Sequence, residues 1–328
     1  MTDTSATSPA KAGAVSPSFA TRAMHEFRQV SPVLLAVCLI YAGFFIISPP
    51  FRSLDTLFTV LTQATILAVL ACGTTVVLIS GGLDLSVGSI FAVVGIVAGQ
   101  LFTSYHWPVP AVLIAGLSAG TLLGALNGIV QVLTKVPAFI VSLGALTAYR
   151  GIAELATAGV NMSRFPPEFR IIGTGYVVPI AITAVVVFVT WFMLTRTRVG
   201  NHAYAIGGNE EVARLAGINV AASRVFYYAF GGFMAALAGL MQTARLDFAQ
   251  STRGVGYELF AIAAVVIGGT SLFGGRGGVV RTIIGMLIIQ TISTGLSYMG
   301  VDTSTQRVTI GVIIILAVYL DVLRRRTS

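Results

Sequence analysis

From Val33 to Leu323 the chain alternates apolar stretches with short polar connections, and each apolar stretch is close to the length of a membrane span. An α-helix rises 1.5 Å per residue, so a bilayer core of roughly 30 Å takes about 20 residues to cross. Only 10% of the residues are charged and 55% are hydrophobic, and the charges collect at the ends of the apolar segments. Lipid is the solvent that such a pattern fits. The expected fold class is therefore all-α, a polytopic helical bundle embedded in a membrane.

Ten segments are expected to be helical: Val33–Ile47, Leu57–Ile79, Val87–Leu101, Val109–Leu133, Ala138–Thr157, Val177–Leu194, Val225–Gln242, Leu259–Leu272, Val279–Ser297 and Val308–Leu323. The third and eighth are short and flanked by glycine, so the expected number of spans is about ten, within a range of eight to ten. Residues 1–31 are rich in Thr, Ser, Ala and Pro and read as a disordered tail with a short amphipathic lead-in, followed by a transmembrane domain over 32–328. A secretory signal is the competing reading of this end. The apolar run from Val33 comes late and continues into Ser48-Pro49-Pro50-Phe51, which favours an uncleaved first helix.

Basic residues orient such a bundle. With the N-terminus in the cytoplasm, that side holds Lys11, Arg22, Arg28, Lys135, Arg196, Arg198, Arg214, Arg224, Arg276, Arg281 and Arg324-Arg325-Arg326. The outer side holds fewer: Arg52, Arg164, Arg170, Arg245, Arg253 and Arg307. The expectation is that both termini are cytoplasmic. The net charge of +8 does not indicate nucleic acid, because the basic residues form no run interleaved with aromatics.

Three motifs stand out. The first is Gly81-Gly82-Leu83-Asp84-Leu85-Ser86-Val87-Gly88-Ser89, which separates two apolar stretches without an ordinary loop. A charged Asp in a membrane costs at least about 2.5–3.5 kcal/mol on insertion scales, so Asp84 should face protein or water. It reads as a cap for the following helix, accepting N–H groups near Val87, with Gly81, Gly82, Ser86 and Gly88 permitting a broken helix. A structural turn and a gating element are both consistent with this, and they are compatible. The second motif is Gly268-Gly269-Thr270-Ser271-Leu272 running into Phe273-Gly274-Gly275-Arg276-Gly277-Gly278. Aligning Gly81 with Gly268 also pairs Gly88 with Gly275, which suggests a pseudo-repeat of the kind transporters use, against a background rich in glycine.

The third motif lies in the longest internal polar stretch, 195–224. There a short helix is expected, with Asn209 as N-cap, Glu210 and Glu211 in its first turn, Arg214 in its last and Gly217 at the C′ position. A short capped helix in a cytoplasmic loop can dock into a partner's groove, or it can simply rest on the membrane surface. Polar residues inside apolar segments are the candidate pathway lining: Gln63, Asn127, Gln131, Tyr149 and Gln290. Each also suits an interhelical hydrogen bond. Arg150 and Glu154 are spaced for a helical ion pair.

Some chemistries are not expected. His25, His106 and His202 are scattered, and Cys38 and Cys72 both lie in apolar segments, so no metal site and no catalytic residues are foreseen. Lys11 is followed by Ala12 and Lys135 by Val136, so there is no phosphate loop of the Gly-rich Lys-Ser/Thr type. Any ATP-driven work would come from another subunit.

Taken together, Gly81–Ser89, Ala205–Asn219 and Ile267–Gly278, supported by Val136-Pro137-Ala138-Phe139-Ile140 and Asn161-Met162, resemble the permease subunits of bacterial ATP-binding-cassette importers for monosaccharides, the ribose/xylose/galactose type. The resemblance implies a bacterial inner-membrane permease, not itself an enzyme, that carries a pentose or hexose by alternating access. It implies an ATPase subunit that holds ATP and Mg, a periplasmic sugar-binding protein, and a second permease chain, identical or paralogous. On this view the helix beginning at Asn209 is the coupling element. An ion-coupled secondary transporter and a permease of the branched-chain amino-acid type are the alternatives.

Overall fold

The computed structural model describes residues 19–326. The segments expected from hydropathy are all helical. They are α1 (Phe19–Ile47), α2 (Leu54–Ile79), α3 (Val87–Thr103), α4 (Val109–Thr134) and α5 (Ala138–Thr157), followed after a connecting stretch by α7 (Val177–Arg196), α10 (Val220–Leu246), α11 (Tyr257–Ile267), α12 (Val279–Tyr298) and α13 (Thr303–Arg326). Between them lie short elements: β1 (Met162–Ser163), α6 (Pro167–Arg170), α8 (Arg198–Gly208), α9 (Glu210–Leu215) and β2 (Phe248–Ala249). Among the described residues, six helices, α2, α4, α5, α7, α10 and α12, are long and apolar enough to cross a membrane.

Several boundaries differ from the sequence expectation. Helix α1 starts at Phe19, so the lead-in to the first span is helical; residues 1–18, including Lys11, lie outside the described part. Helix α10 starts at Val220, because the Asn219 side chain accepts the Ala222 N–H at 3.0 Å and caps it there. Helix α11 stops at Ile267, five residues before the expected end, since Gly268 and Gly269 close it. Asp302 opens α13 by accepting the N–H groups of Ser304 and Thr305.

Helix α2 forms the centre of the bundle. In its most apolar window 94% of residues are buried, against 17–22% for α4, α5 and α7, so α2 is solvated by protein and not by lipid. Around it pack α7, α10, α11 and α12. The tightest helix pair is α4 with α10, and its basis is a ridge of small residues. Gly116, Gly120, Gly124 and Gly128 recur every four residues and make up most of the buried face of α4. A Cβ on Gly120 would sit 2.5 Å from Ala236 Cβ, and one on Gly124 would sit 2.2 Å from the Tyr228 carbonyl oxygen. Without a hydrophobic force between helices in lipid, close backbone approach of this kind supplies the packing.

The two ends of the bundle are separately tied. At one end β1 pairs antiparallel with β2, with Met162 opposite Ala249, and the Phe51 ring meets Tyr298. At the other lie the α4–α5 turn, α8, α9 and the glycine motifs. The basic residues assigned to the cytoplasm whose side chains are described fall at this second end; the side chains of Arg22, Arg28 and Arg324–Arg326 are not described. The α4–α10 ridge makes a direct prediction. Gly120→Val should overpack the interface by about 1–3 kcal/mol and lower the melting temperature of the detergent-solubilised protein. Gly43→Val, where nothing lies within 4 Å, should leave it unchanged.

Candidate functional site

Helices α2 and α11 end in the same way. After α2, Gly81 takes a left-handed φ of 78° and the Gly82 N–H reaches back to the Val77 carbonyl at 2.9 Å. After α11, Gly269 takes φ 85° and the Thr270 N–H reaches the Val265 carbonyl at 3.1 Å. Both are six-to-one closures that satisfy orphan carbonyls at a helix end. The match corrects the sequence register by one residue: Gly81 corresponds to Gly269, not Gly268. Position matters here because the closure needs a left-handed residue, and Gly268 is right-handed with φ −65°. Gly268 has a different task, since a Cβ there would lie 2.4 Å from the Arg281 carbonyl oxygen on α12.

Residues 82–86 then run without helix. Asp84 is buried, and its Oδ1 accepts the Ser86 N–H at 2.8 Å and the Ser86 hydroxyl at 2.7 Å. It therefore fastens the turn before α3 and does not cap the helix near Val87 as expected; the side chain of the N-cap residue Ser86 makes no capping bond. The Asn127 amide donates to Ser86 Oγ at 2.7 Å, and the Tyr149 hydroxyl donates to Asn127 Oδ1 at 2.8 Å. This chain joins the broken segment to α4 and α5. From α10, the Tyr228 hydroxyl donates to the Leu83 carbonyl and accepts the Leu83 N–H.

The three sequence motifs meet at one point. Gly207, at the end of α8, lies so close to the end of α2 that a Cβ would fall 1.9 Å from the Ile79 carbonyl oxygen and 2.6 Å from the Gly275 nitrogen. That same Ile79 carbonyl accepts the Gly275 N–H at 2.9 Å. A Cβ on Gly274 would lie 2.7 Å from the Gly207 oxygen and 2.8 Å from the Gly81 Cα. Backbone touches backbone here, and glycine is what allows it.

The segment that delivers Gly207 is more structured than the sequence suggests. Helix α8 is unexpected; Thr197 caps it by accepting the Gly200 N–H, and Gly200, Ala203 and Ile206 form its buried side. Helix α9 follows as expected. Asn209 Oδ1 accepts the Val212 N–H at 3.1 Å, and Gly217 is left-handed with φ 83°. Glu210 pairs with Arg214 at 2.8 Å within the helix and with Arg224 of α10 at 2.6 Å. Burial alone would raise the Glu210 carboxyl, but hydrogen bonds and charge from Arg224 and Arg214 outweigh it and hold it below the usual carboxylate range. Glu211, Val212 and Leu215 project outward, Leu215 being 84% exposed. Between α9 and the α4–α5 turn opens a cavity of about 750 Å³, lined by Gly81, Gly82, Gln131, Lys135 and Arg224 among others.

This geometry can be set beside known proteins. A family model described as branched-chain amino acid transport system / permease component matches residues 56–318. The ribose import permease protein RbsC of Haemophilus influenzae is 42% identical, covering 88% of this chain and 91% of its own. The D-allose transport system permease protein AlsC of Escherichia coli is 34% identical, covering 92% and 98%. The xylose transport system permease protein XylH of Haemophilus influenzae is 32% identical, covering 89% and 96%. The chain belongs to this permease family. No solved structure matches it.

Within that family the relatives are sugar import permeases of ATP-binding-cassette transporters, multi-pass proteins of the bacterial inner membrane that are not themselves catalytic. Membership implies ATPase and substrate-binding partners in general terms. In this permease the candidate lining residues separate into two groups. Gln63 and Gln290 bond to each other at 2.8 Å between α2 and α12, with Thr294 joining them, so a structural bond accounts for both. Asn127, Gln131 and Tyr149 sit beside the broken segment. Arg150 and Glu154 form no ion pair. The Arg150 guanidinium turns instead to the carbonyls of Ser251 and Arg253, in the non-helical stretch before α11, and to the Gly88 carbonyl of α3.

Adjacent glycines test the junction. Gly207→Ala should displace α8 from the end of α2 and lower both the melting temperature and uptake. Gly208→Ala, with nothing within 4 Å, should change neither. Equal behaviour of the two variants would remove the junction as a working contact.

Proposed function

We propose that this chain is the membrane-spanning subunit of an importer for a monosaccharide, a pentose or hexose, and that it works by alternating access. The observation that carries the reading is the backbone contact of Gly207 with the end of α2 and with Gly274 and Gly275 in the loop after α11. A segment facing a soluble partner is thereby in rigid contact with the two irregular elements inside the bundle. The related permeases named for ribose, allose and xylose support a sugar as cargo.

In this mechanism an ATPase subunit, holding ATP and Mg, docks on α9 through its exposed Val212 and Leu215. Asn209, Glu210, Arg214 and Gly217 give α9 its shape, and Glu211 adds charge to its outer face. ATP binding moves α8–α9, the motion passes through Gly207, and the segments after α2 and α11 shift. Gly81, Gly82, Asp84, Ser86 and Gly88, with Gly268, Gly269, Gly274 and Gly275, form the moving gate. A periplasmic sugar-binding protein delivers the solute, and a second permease chain completes the conduit. The ten-span arrangement with both termini in the cytoplasm belongs to this reading.

The Glu210 link ties α9 to α10. Its carboxyl lies below the usual range, so its contribution is present above the unfolded value and is lost only as pH falls through the depressed one. Recruitment of the ATPase should therefore hold through neutral and mildly acid pH. Replacing Glu210 with Gln and Arg214 with Ala together should reduce recruitment to membranes and uptake alike, and unchanged values for both would remove α9 from the coupling role. Reconstitution with the cognate ATPase and binding protein tests the whole reading. Uptake of ribose, xylose, allose or fructose should require ATP, and leucine should not be carried. Accumulation by the chain alone from an ion gradient would overturn it.

A further inference from the structure

Helix α11 does not start at the surface of the bundle. At the β1–β2 end, a Cβ on Gly99 of α3 would touch Met162 and Ala249. Eleven residues earlier on the same helix, and so about 16 Å deeper, a Cβ on Gly88 would touch Glu258 Oε2 at 2.1 Å and the Gly254 carbonyl oxygen at 2.5 Å. The chain from Gln250 to Gly256 thus descends along α3 before α11 begins. Helix α11 has 11 residues, about 16 Å of rise, and runs to Gly268, which meets Arg281 and Thr282 of α12 before the loop reaches the glycine junction at Gly275. The two lengths together come to about 30 Å, the thickness of a bilayer core. The start of α11 and the start of α3 therefore meet near the middle of the membrane.

Glu258 and Arg150 bring their charged groups to that level, whereas the Arg253 guanidinium turns onto the Phe248 ring. Glu258, in the first turn of α11, accepts the Gly256 N–H through Oε1 at 3.2 Å. Its second oxygen, Oε2, is shielded from solvent and makes no hydrogen bond to the protein. Arg150 on α5 spends its fork on the carbonyls of Ser251, Arg253 and Gly88, which leaves N–H donors over. The two charges are close but not in ion-pair contact, since Glu258 has no partner among the salt bridges of the described residues. An unpaired carboxylate oxygen and spare guanidinium donors, with no net charge between them, suit a neutral molecule bearing neighbouring hydroxyl groups. An ion would leave one of the two uncompensated. Around the pair, the apolar Val255, Leu259 and Ile152 lie on the outer surface of the chain, 48%, 51% and 50% exposed.

We propose that Arg150 and Glu258 form a mid-membrane station for the hydroxyl groups of the transported sugar. This rests on the importer reading. Carboxylate and guanidinium replace the water that a sugar sheds on leaving solution, and Gly88 makes room for the carboxylate.

The test uses the complete importer, with ATPase and binding protein, in proteoliposomes. Uptake of ribose, xylose, allose and fructose is measured first with the wild type. Glu258→Gln keeps an oxygen for the Gly256 N–H and replaces only the open oxygen with an amide. It should lower uptake at least about tenfold, since a hydrogen bond to a charged group is lost, while co-purification with the ATPase and melting temperature stay unchanged. Glu258→Asp, which retains a carboxylate, should recover part of the rate. In parallel, Glu258 of the wild-type complex is labelled with a hydrophobic carbodiimide and read by mass spectrometry. A transported sugar should protect it, and sorbitol at equal concentration should not. If the wild type carries none of the sugars, the importer reading falls and the station with it. If the wild type transports but Glu258→Gln stays within about twofold of it, or if no carried sugar protects Glu258, the station alone falls. Should Glu258→Gln fail to assemble, protection decides the matter.

Discussion

A membrane interior offers no water to unpaired backbone, so a helix can be broken there only if protein picks up every N–H and C=O that the break releases. The rest of this permease is arranged around that constraint. The Tyr228 hydroxyl serves both polar groups of Leu83. Asp84 takes the Ser86 N–H. The Ser271 N–H finds the Arg276 carbonyl, and Thr270 Oγ1 accepts the Gly278 N–H. The Gly275 N–H takes the Ile79 carbonyl. Arg150 covers three carbonyls around the start of α11. Some of these bonds close within a broken segment, while Tyr228 comes from α10 and Arg150 from α5, so satisfying the breaks also ties those two helices to the centre.

Burial of α2 follows from the same logic. A helix that ends inside a bundle needs neighbours on every side to receive its terminus. With 94% of its window buried, α2 has them. The small-residue ridge between α4 and α10 brings Tyr228 within reach of Leu83, because Gly124 leaves space for the Tyr228 carbonyl that a Cβ would fill. Packing and polar satisfaction are thus one arrangement seen from two sides.

What could be read from the sequence was what depends on one helix at a time. The long spans carried their own length signal, and α9 carried Asn209, Glu210, Arg214 and Gly217 in cap order. The structure places each of these where local chemistry requires. What could not be read depends on two segments at once. Helix α8 was hidden because three glycines and several polar residues dilute its buried stripe; the spacing of Val199, Ala203 and Ile206 was the available signal. The four-residue glycine period of α4 was also present in the letters, but its meaning lies on α10. The Gly81–Gly268 alignment slipped by one because it compared identities, whereas the closure selects a backbone angle. Arg150 and Glu154 had pair spacing along the helix, and that spacing gave no account of carbonyls arriving from another loop. Residues 250–256 carried no hydropathy that would reveal a descent into the membrane.

The two ends of α11 now acquire linked roles. The loop that follows its C-terminus meets the glycine junction through Gly274 and Gly275, and its first turn carries Glu258. Helix α11 is short, apolar and buried along most of its length, packed on α2 and α12. Such a rod does not compress, because interiors are close-packed. In the proposed mechanism, a displacement of Gly275 would reach the rod through residues 268–274, and a tilt or slide of the rod would move the carboxylate at its other end relative to Gly88. The broken segment after α2 spans the same interval, from Gly81 at the junction to Gly88 beside Glu258. Two elements thus connect one end of the bundle to its middle, one helical and stiff, the other extended and hinged by glycine. In the proposed mechanism, that difference in stiffness would let a push at the junction change the spacing between Arg150 and Glu258 and not merely translate both.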